Sequence, residues 1–121
     1  MSLEAIAKET KKIADFAAAN ADALDKQGIF PVEEFQRIAA AGLLTAPLSQ
    51  RLGGLGLGFE TGQTEELLML LQEIGRGNLV VGRIYEGHVN ALQLIQTFGT
   101  SEQIKVYAAD ARQDKIFGVW N

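Results

Sequence analysis

The sequence predicts an all-α fold: an up-and-down or orthogonal bundle of about five helices, followed by one short terminal β-strand. Hydrophobic residues make up 47% of the 121 residues and only 2 prolines occur, so the chain can bury a core and sustain long helices. Apolar residues recur at steps of three and four in several segments, which is the period of an amphipathic helix. Glycine-containing breaks separate these segments and predict short connections between successive helices.

Two helices are predicted before the glycine-rich region. The first covers residues 3–24 and ends before Gly28, with its buried side formed by Ile6, Ile13, Ala17 and Leu24. The second places Pro31 at its first helical position, where a missing N–H does no harm, and ends at Gly42. The apolar residues 43–47 then predict a short buried connector.

Residues 52–58, with the sequence LGGLGLG, form the most conspicuous loop. They do not fit a dinucleotide-binding fingerprint, because after Gly54 and Gly56 the third glycine would fall at Phe59. No convincing strand precedes the loop. The pattern instead predicts turns with a left-handed backbone, whose leucines insert into the core.

A third helix is predicted after this loop. Thr61 is its expected N-cap, and the break at residues 75–77 is its expected end. Its core stripe is predicted to contain Leu67, Leu70, Leu71 and Ile74.

Residues 78–99 show the clearest helical pattern and predict the central helix of the bundle. Asn78 is the expected N-cap and Gly99 the expected residue just beyond the end. The apolar stripe contains Val81, Ile84, Tyr85, His88, Leu92 and Ile95. The opposite side contains Leu79, Arg83, Glu86, Asn90, Gln93 and Thr97. Gly82 and Gly87 lie inside the helix, where each costs about 0.8–1 kcal/mol relative to alanine, so close helix packing or a nearby ligand is expected.

The final part of the chain predicts a fifth helix and a strand. Thr100 and Gln103 have the spacing of a capping box, and Ile104 and Tyr107 are the expected inward contacts of the helix that follows. Residues 115–121 have the composition of a β-strand, but a lone strand cannot satisfy its own backbone groups. The prediction is therefore a helical domain over residues 1–114, followed by the first strand of a truncated β-domain.

Composition argues against several function classes. The formal net charge of −4 argues against a nucleic-acid surface, and no apolar run reaches the ~20 residues of a membrane span. The chain has no cysteine, which excludes thiolate chemistry and fits a cytoplasmic protein. His88 is the only histidine and lies on the apolar stripe, so a satisfied core histidine is favoured over a base or metal ligand. No complete catalytic set is recognisable.

Six short motifs occur in a fixed order along the chain. They are FPVEEF at residues 30–35, AGLL at 41–44, GGLG at 53–56, EIGR at 73–76, FGTSEQ at 98–103 and FGVWN at 117–121. The series resembles the N-terminal helical domain of the acyl-CoA dehydrogenases. Residues 49–52 depart from it, because they read SQRL where the family often has Pro-Glu-Glu-Tyr.

The resemblance implies an FAD-dependent oxidoreductase with an N-terminal helical domain, a middle β-domain and a C-terminal four-helix bundle. In such enzymes a glutamate removes the α-proton of an acyl-CoA thioester, and a hydride passes from the β-carbon to the flavin. That glutamate and most FAD contacts belong to the other domains. No catalytic residue is therefore expected in this chain, which should neither bind FAD nor be active alone.

The resemblance also implies which residues of this chain would contact ligands. Arg83, Glu86, Gly87 and Asn90 would form a wall of the acyl pocket, as the substrate-binding residues. Trp120 and Asn121 would approach the flavin ring, as the cofactor-binding residues. The implied partners are an acyl-CoA substrate, the remaining domains of the enzyme, an electron-transfer acceptor and, for the full-length protein, further copies of itself.

Two alternatives remain open from the sequence. The polar wall residues leave a short, branched or polar substrate possible, and they also admit a flavin-dependent monooxygenase of the same fold. A non-catalytic helical interaction module is the other alternative, with its last strand pairing with a partner's sheet.

Overall fold

The computed structural model describes residues 2–119 and places five α-helices in that part of the chain. These are α1 (Leu3–Gln27), α2 (Val32–Ala40), α3 (Thr64–Gly77), α4 (Leu79–Phe98) and α5 (Ser101–Arg112). Helix α1 packs chiefly on α3, and α3 on α4, while α2 lies against α1 and α5 against α4. Residues 2–119 contain no β-strand, so the predicted all-α class is confirmed. Within the same residues, no helix has the length and apolar character needed to cross a bilayer.

Helix α4 has the predicted bounds. The Asn78 side chain accepts hydrogen bonds from the N–H groups of Val80 and Val81, at 2.9 and 3.2 Å. Gly99 ends the helix with an extended backbone, so it is not a left-handed cap. Space explains the glycine instead, because a Cβ atom there would lie 2.5 Å from the Ile95 carbonyl oxygen.

The first two helices are close to the predicted ones. Helix α1 continues to Gln27 and ends at Gly28, whose φ of 64° is left-handed. Pro31 precedes α2 as its N-cap and is not its first helical residue, because its ψ of 74° lies outside the helical region. Glu34, in the first turn, is buried and accepts a hydrogen bond from the side-chain amide of Asn20 at 3.0 Å, which links α2 to α1.

The predicted cap of α3 at Thr61 is wrong. The helix begins at Thr64, after Gln63 as an N-cap without a side-chain hydrogen bond. Gly62 explains the difference, because its φ of 86° interrupts any helix that starts at Thr61. The predicted break at residues 75–77 is also wrong, since α3 runs through Gly77.

Glycines near the end of α3 serve close packing between helices. A Cβ atom on Gly77 would lie 2.3 Å from the Ala14 carbonyl oxygen of α1. A Cβ atom on Gly82 of α4 would lie 2.8 Å from the Cα atom of Gly75. These positions allow three helix backbones to approach closely, which answers part of the question raised by glycines inside helices.

Helix α5 has the predicted capping box but a different buried face. Thr100 Oγ1 accepts from the Gln103 N–H at 3.1 Å, and Gln103 Oε1 accepts from the Thr100 N–H at 2.9 Å. The fully buried residues of α5 are Ala108 and Ala111. Tyr107, predicted to point inward, is exposed because small alanines already fill the contact with α4.

The predicted strand at residues 115–121 does not form over residues 115–119. This segment follows an irregular path over the helices, with Ile116 against the main core and Phe117 against a smaller cluster of α4 and α5. The described chain offers it no neighbouring strand with which to form a ladder. Trp120 and Asn121, the expected cofactor-binding residues, lie outside the described residues. The domain boundary at residue 114 stays a prediction.

Candidate functional site

The four predicted pocket residues lie along the outward face of α4. Arg83 and Asn90 are exposed, and Glu86 and Gly87 are partly buried. The Arg83 guanidinium donates to the Glu86 carboxylate, so this pair contributes no net charge to the face. The four residues span about 10 Å along the helix axis, at 1.5 Å per residue. They therefore form one continuous strip.

Gly87 differs from the other glycine inside α4. A Cβ atom on Gly82 would meet the α3 backbone, but a Cβ atom on Gly87 would meet no atom within 4 Å. Packing within the described structure therefore explains Gly82 and does not explain Gly87. The open position of Gly87 lies in the middle of the polar strip.

Apolar side chains extend the same exposed surface at both ends of α4. Leu79 is 79% exposed and Phe98 is 80% exposed, and Val80 and Leu94 are also exposed. Exposed apolar groups clustered around a polar centre are typical of a surface that another element or a ligand covers. The outward side of α4 therefore has the composition of a contact surface.

The inward side of α4 forms hydrogen bonds with the connector, residues 43–49. Tyr85 Oη donates to the Leu43 carbonyl oxygen at 2.7 Å. Gln96 Nε2 donates to the Pro47 carbonyl oxygen at 3.0 Å, and Gln96 Oε1 accepts from the Ser49 N–H at 2.8 Å. The sequence analysis missed Gln96, although its position four residues after Leu92 was a usable signal for burial.

His88 is fully buried, and both of its ring nitrogens are hydrogen bonded. Nε2 lies 2.8 Å from the Leu44 carbonyl oxygen, and Nδ1 lies 3.1 Å from the Phe117 backbone nitrogen. Burial lowers the pKa of His88 because the charged imidazolium loses its hydration, although the Leu44 hydrogen bond acts in the opposite direction. The predicted core histidine is confirmed. Its nitrogens are not free to act as a base.

The glycine loop has no free amides to bind phosphate. Each backbone N–H from residue 52 to residue 60 donates to a carbonyl oxygen within residues 46–63. Gly53, Gly56 and Gly58 have positive φ angles, and Leu57 is buried, as the sequence predicted. A phosphate cradle needs amide N–H groups that point at the ligand, so these residues do not fit the pyrophosphate of a dinucleotide.

A groove of about 730 Å³ lies between α1 and α3, and the sequence did not predict it. Its apolar wall includes Leu57 and Leu70, and Arg76 crosses its rim to contact both Glu73 and Asp15, at 2.6 and 3.3 Å. Hydrogen bonds from Lys11 and Arg76 lower the pKa of Asp15, and a hydrogen bond from Arg76 lowers that of Glu73.

These charged groups therefore pair with one another across the two helices, and the rim shows no set of groups arranged for acid–base catalysis. Residues 2–119 also contain no cluster of three or more histidine, aspartate or glutamate side chains arranged to hold a metal ion.

Comparison with known proteins identifies the fold family. The family model for the acyl-CoA dehydrogenase N-terminal domain matches residues 2–112. An acryloyl-CoA reductase (NADH) of Anaerotignum propionicum is 31% identical over 87 residues, which cover 72% of this chain and 21% of that protein. The chain thus spans about a fifth of the length of this curated relative, and no solved structure gives a significant match. The chain belongs to the acyl-CoA dehydrogenase family, whose N-terminal domain it matches.

Proposed function

We propose that this chain forms one wall of the acyl pocket in an FAD-dependent acyl-CoA dehydrogenase. Arg83, Glu86, Gly87 and Asn90 would face the acyl-thioester from α4. The observation that carries the proposal is the open position of Gly87, which no contact within the described structure explains. A side chain at this position would occupy space that we assign to substrate.

The chemistry of this strip favours a short or polar acyl group. The strip contains an ion pair and an amide, and its exposed apolar residues lie at the two ends of the helix. A long alkyl chain along the polar centre would remove these groups from water without giving them new hydrogen bonds, which is unfavourable. The relative at 31% identity is named for acryloyl-CoA, whose acyl group is short. We therefore assign a short-chain acyl-CoA as the substrate class.

FAD is assigned to parts of the enzyme outside the described residues. The glycine loop uses its amides internally, and the described helices offer no alternative phosphate cradle on the outward side of α4. Residues 2–119 would therefore contribute to the shape of the substrate site, and the other domains would supply the flavin and the base. The electron acceptor and the subunit assembly would also depend on those domains.

Reduction of a 2,3-unsaturated acyl-CoA is a second candidate. The name of the Anaerotignum propionicum relative supports it, since that protein is an NADH-linked reductase of acryloyl-CoA. The same wall would serve either direction, because saturated and unsaturated short acyl groups have nearly the same shape. The two candidates differ in the source of electrons.

The test uses the natural gene product that contains this sequence. It is purified, its flavin spectrum is recorded, and short acyl-CoA thioesters are added without oxygen. Loss of the oxidised flavin absorbance on adding a saturated acyl-CoA supports the dehydrogenase. Loss on adding NADH, with recovery on adding acryloyl-CoA, supports the reductase.

Two outcomes would contradict the proposal. One is a purified gene product without flavin, which would favour the interaction module. The other is a flavin that consumes oxygen during NADH or NADPH oxidation and does not respond to any acyl-CoA, which would favour the monooxygenase. The 121-residue chain is the control, and we expect it to bind no FAD.

A further inference from the structure

The segment of residues 115–119 is held to the bundle through the ring of His88. The Phe117 N–H donates to His88 Nδ1 at 3.1 Å, and the Phe117 ring stacks on the imidazole with centroids 5.8 Å apart. Tyr85 lies on α4 near the same imidazole, at a centroid distance of 6.2 Å. Within residues 2–119, the Phe117 amide is the one backbone group of residues 116–119 that hydrogen bonds to the bundle.

These contacts require one particular tautomer of His88. The Leu44 carbonyl oxygen can only accept, so the Nε2 atom facing it at 2.8 Å must carry the ring proton. Nδ1 then has a free lone pair, which accepts the Phe117 N–H. The connector on one side of α4 thereby determines whether the ring can hold the segment on the other.

We propose that His88 is a positioning residue that fixes the path of residues 117–119 by linking the Leu44 carbonyl to the Phe117 amide. The chain continues from these residues to Trp120 and Asn121. Its consequence for the flavin rests on the proposed function, because only the resemblance assigns those two residues to the cofactor. The hydrogen-bond relay itself does not depend on that function.

Two substitutions of His88 separate the two halves of this relay. In His88→Asn, the side-chain Oδ1 can replace Nδ1 as the acceptor for Phe117, but the Leu44 partner is lost. In His88→Gln, the side-chain Nε2 can replace the imidazole Nε2 as the donor to Leu44, but the Phe117 partner is lost. Both substitutions remove ring volume, so they share the packing defect and serve as controls for each other.

The experiment measures amide hydrogen exchange by NMR in the 121-residue chain and its two variants. We expect the protection of the Phe117 amide to fall about fivefold or more in His88→Gln and to stay near the wild-type value in His88→Asn, because a neutral hydrogen bond contributes about that factor. Equal losses in both variants would overturn the proposal, since a purely structural role of the ring predicts that result.

A measurement on the unsubstituted protein keeps the proposal testable if both variants unfold. Scalar coupling across the N–H···N hydrogen bond should connect the Phe117 amide nitrogen with His88 Nδ1, and the ring proton should reside on Nε2. A proton on Nδ1, or the absence of this coupling, would overturn the proposal. Neither experiment involves flavin or acyl-CoA, so failure here is distinguishable from failure of the proposed function.

Discussion

The two sides of α4 place opposite demands on sequence. On the inward side, Tyr85, His88 and Gln96 each hydrogen bond to named backbone groups of the connector. On the outward side, Arg83 pairs only with its neighbour Glu86, and Gly87 faces open space. Packing thus accounts for the inward residues, whereas it leaves the outward residues unexplained within this domain. The difference teaches that the unexplained side is the better place to look for function.

The largest expected contrast compares two leucines of α4. Leu92 is fully buried and Leu94 is 46% exposed. Leu92→Ala should lower the free energy of unfolding by about 2–5 kcal/mol, because it leaves a cavity between α4 and α5. Leu94→Ala should change it by less than about 0.5 kcal/mol. Urea denaturation of the 121-residue chain measures both, and equal losses would show that the two sides are packed alike.

The two glycines of α4 give the next contrast. Gly82→Ala should destabilise the domain by about 1–3 kcal/mol, because its Cβ atom would press on Gly75 of α3. Gly87→Ala should stabilise it by up to about 1 kcal/mol, since alanine favours the helix and no atom obstructs the Cβ. Thermal unfolding should give midpoint shifts of opposite sign. Two shifts in the same direction would contradict the assignment of different roles.

The inward side should also respond to pH through His88. Its pKa in the folded state lies below the ordinary 6.5, so between these two values the unfolded chain binds more protons. The free energy of unfolding should therefore decrease as pH falls below about 6.5, by at most about 1.4 kcal/mol per pH unit, and this loss should stop below the folded-state pKa.

Denaturation curves across this range measure the effect, with His88→Asn as the control that lacks the titrating group. Asp15 and Glu73 also have lowered pKa values, but they titrate from the more acidic ordinary values of 3.8 and 4.5. A slope that persists unchanged in the variant would assign the effect to other groups.

The smallest expected effect concerns the ion pair on the outward side. The Arg83 and Glu86 side chains are 70% and 43% exposed, so their attraction is weakened by water and salt. Glu86→Gln should lower the free energy of unfolding by no more than about 0.5 kcal/mol at low salt. The effect should shrink in concentrated sodium chloride. A loss of several kcal/mol would show that the pair supports the fold.

The sequence predicted helices where local signals agree with packing. Asn78 and Thr100 cap their helices as predicted, because a cap depends on residues three positions apart. Thr61 failed as a cap, since the left-handed backbone of Gly62 decides where α3 can begin. The strand at residues 115–119 failed because strand formation depends on a partner, which composition alone does not reveal.

The candidate site was predictable in part. Helical periodicity and the family resemblance placed Arg83, Glu86 and Asn90 together, and the structure places them on one side of α4. Their role as a pocket wall stays a proposal. The burial of His88 was predictable from its stripe, but its partners were not, because Leu44 and Phe117 are 44 and 29 residues away. Contacts over such distances require the tertiary fold.

The central claim is that the space in front of Gly87 belongs to an acyl group. The most direct measurement is kcat/KM for a short acyl-CoA in the natural flavoprotein, with Gly87→Ala and Gly87→Leu compared with Leu94→Ala. The account predicts that kcat/KM falls with the size of residue 87, by about tenfold or more for leucine, while Leu94→Ala stays near the unsubstituted value. Unchanged kcat/KM in Gly87→Leu would contradict the claim.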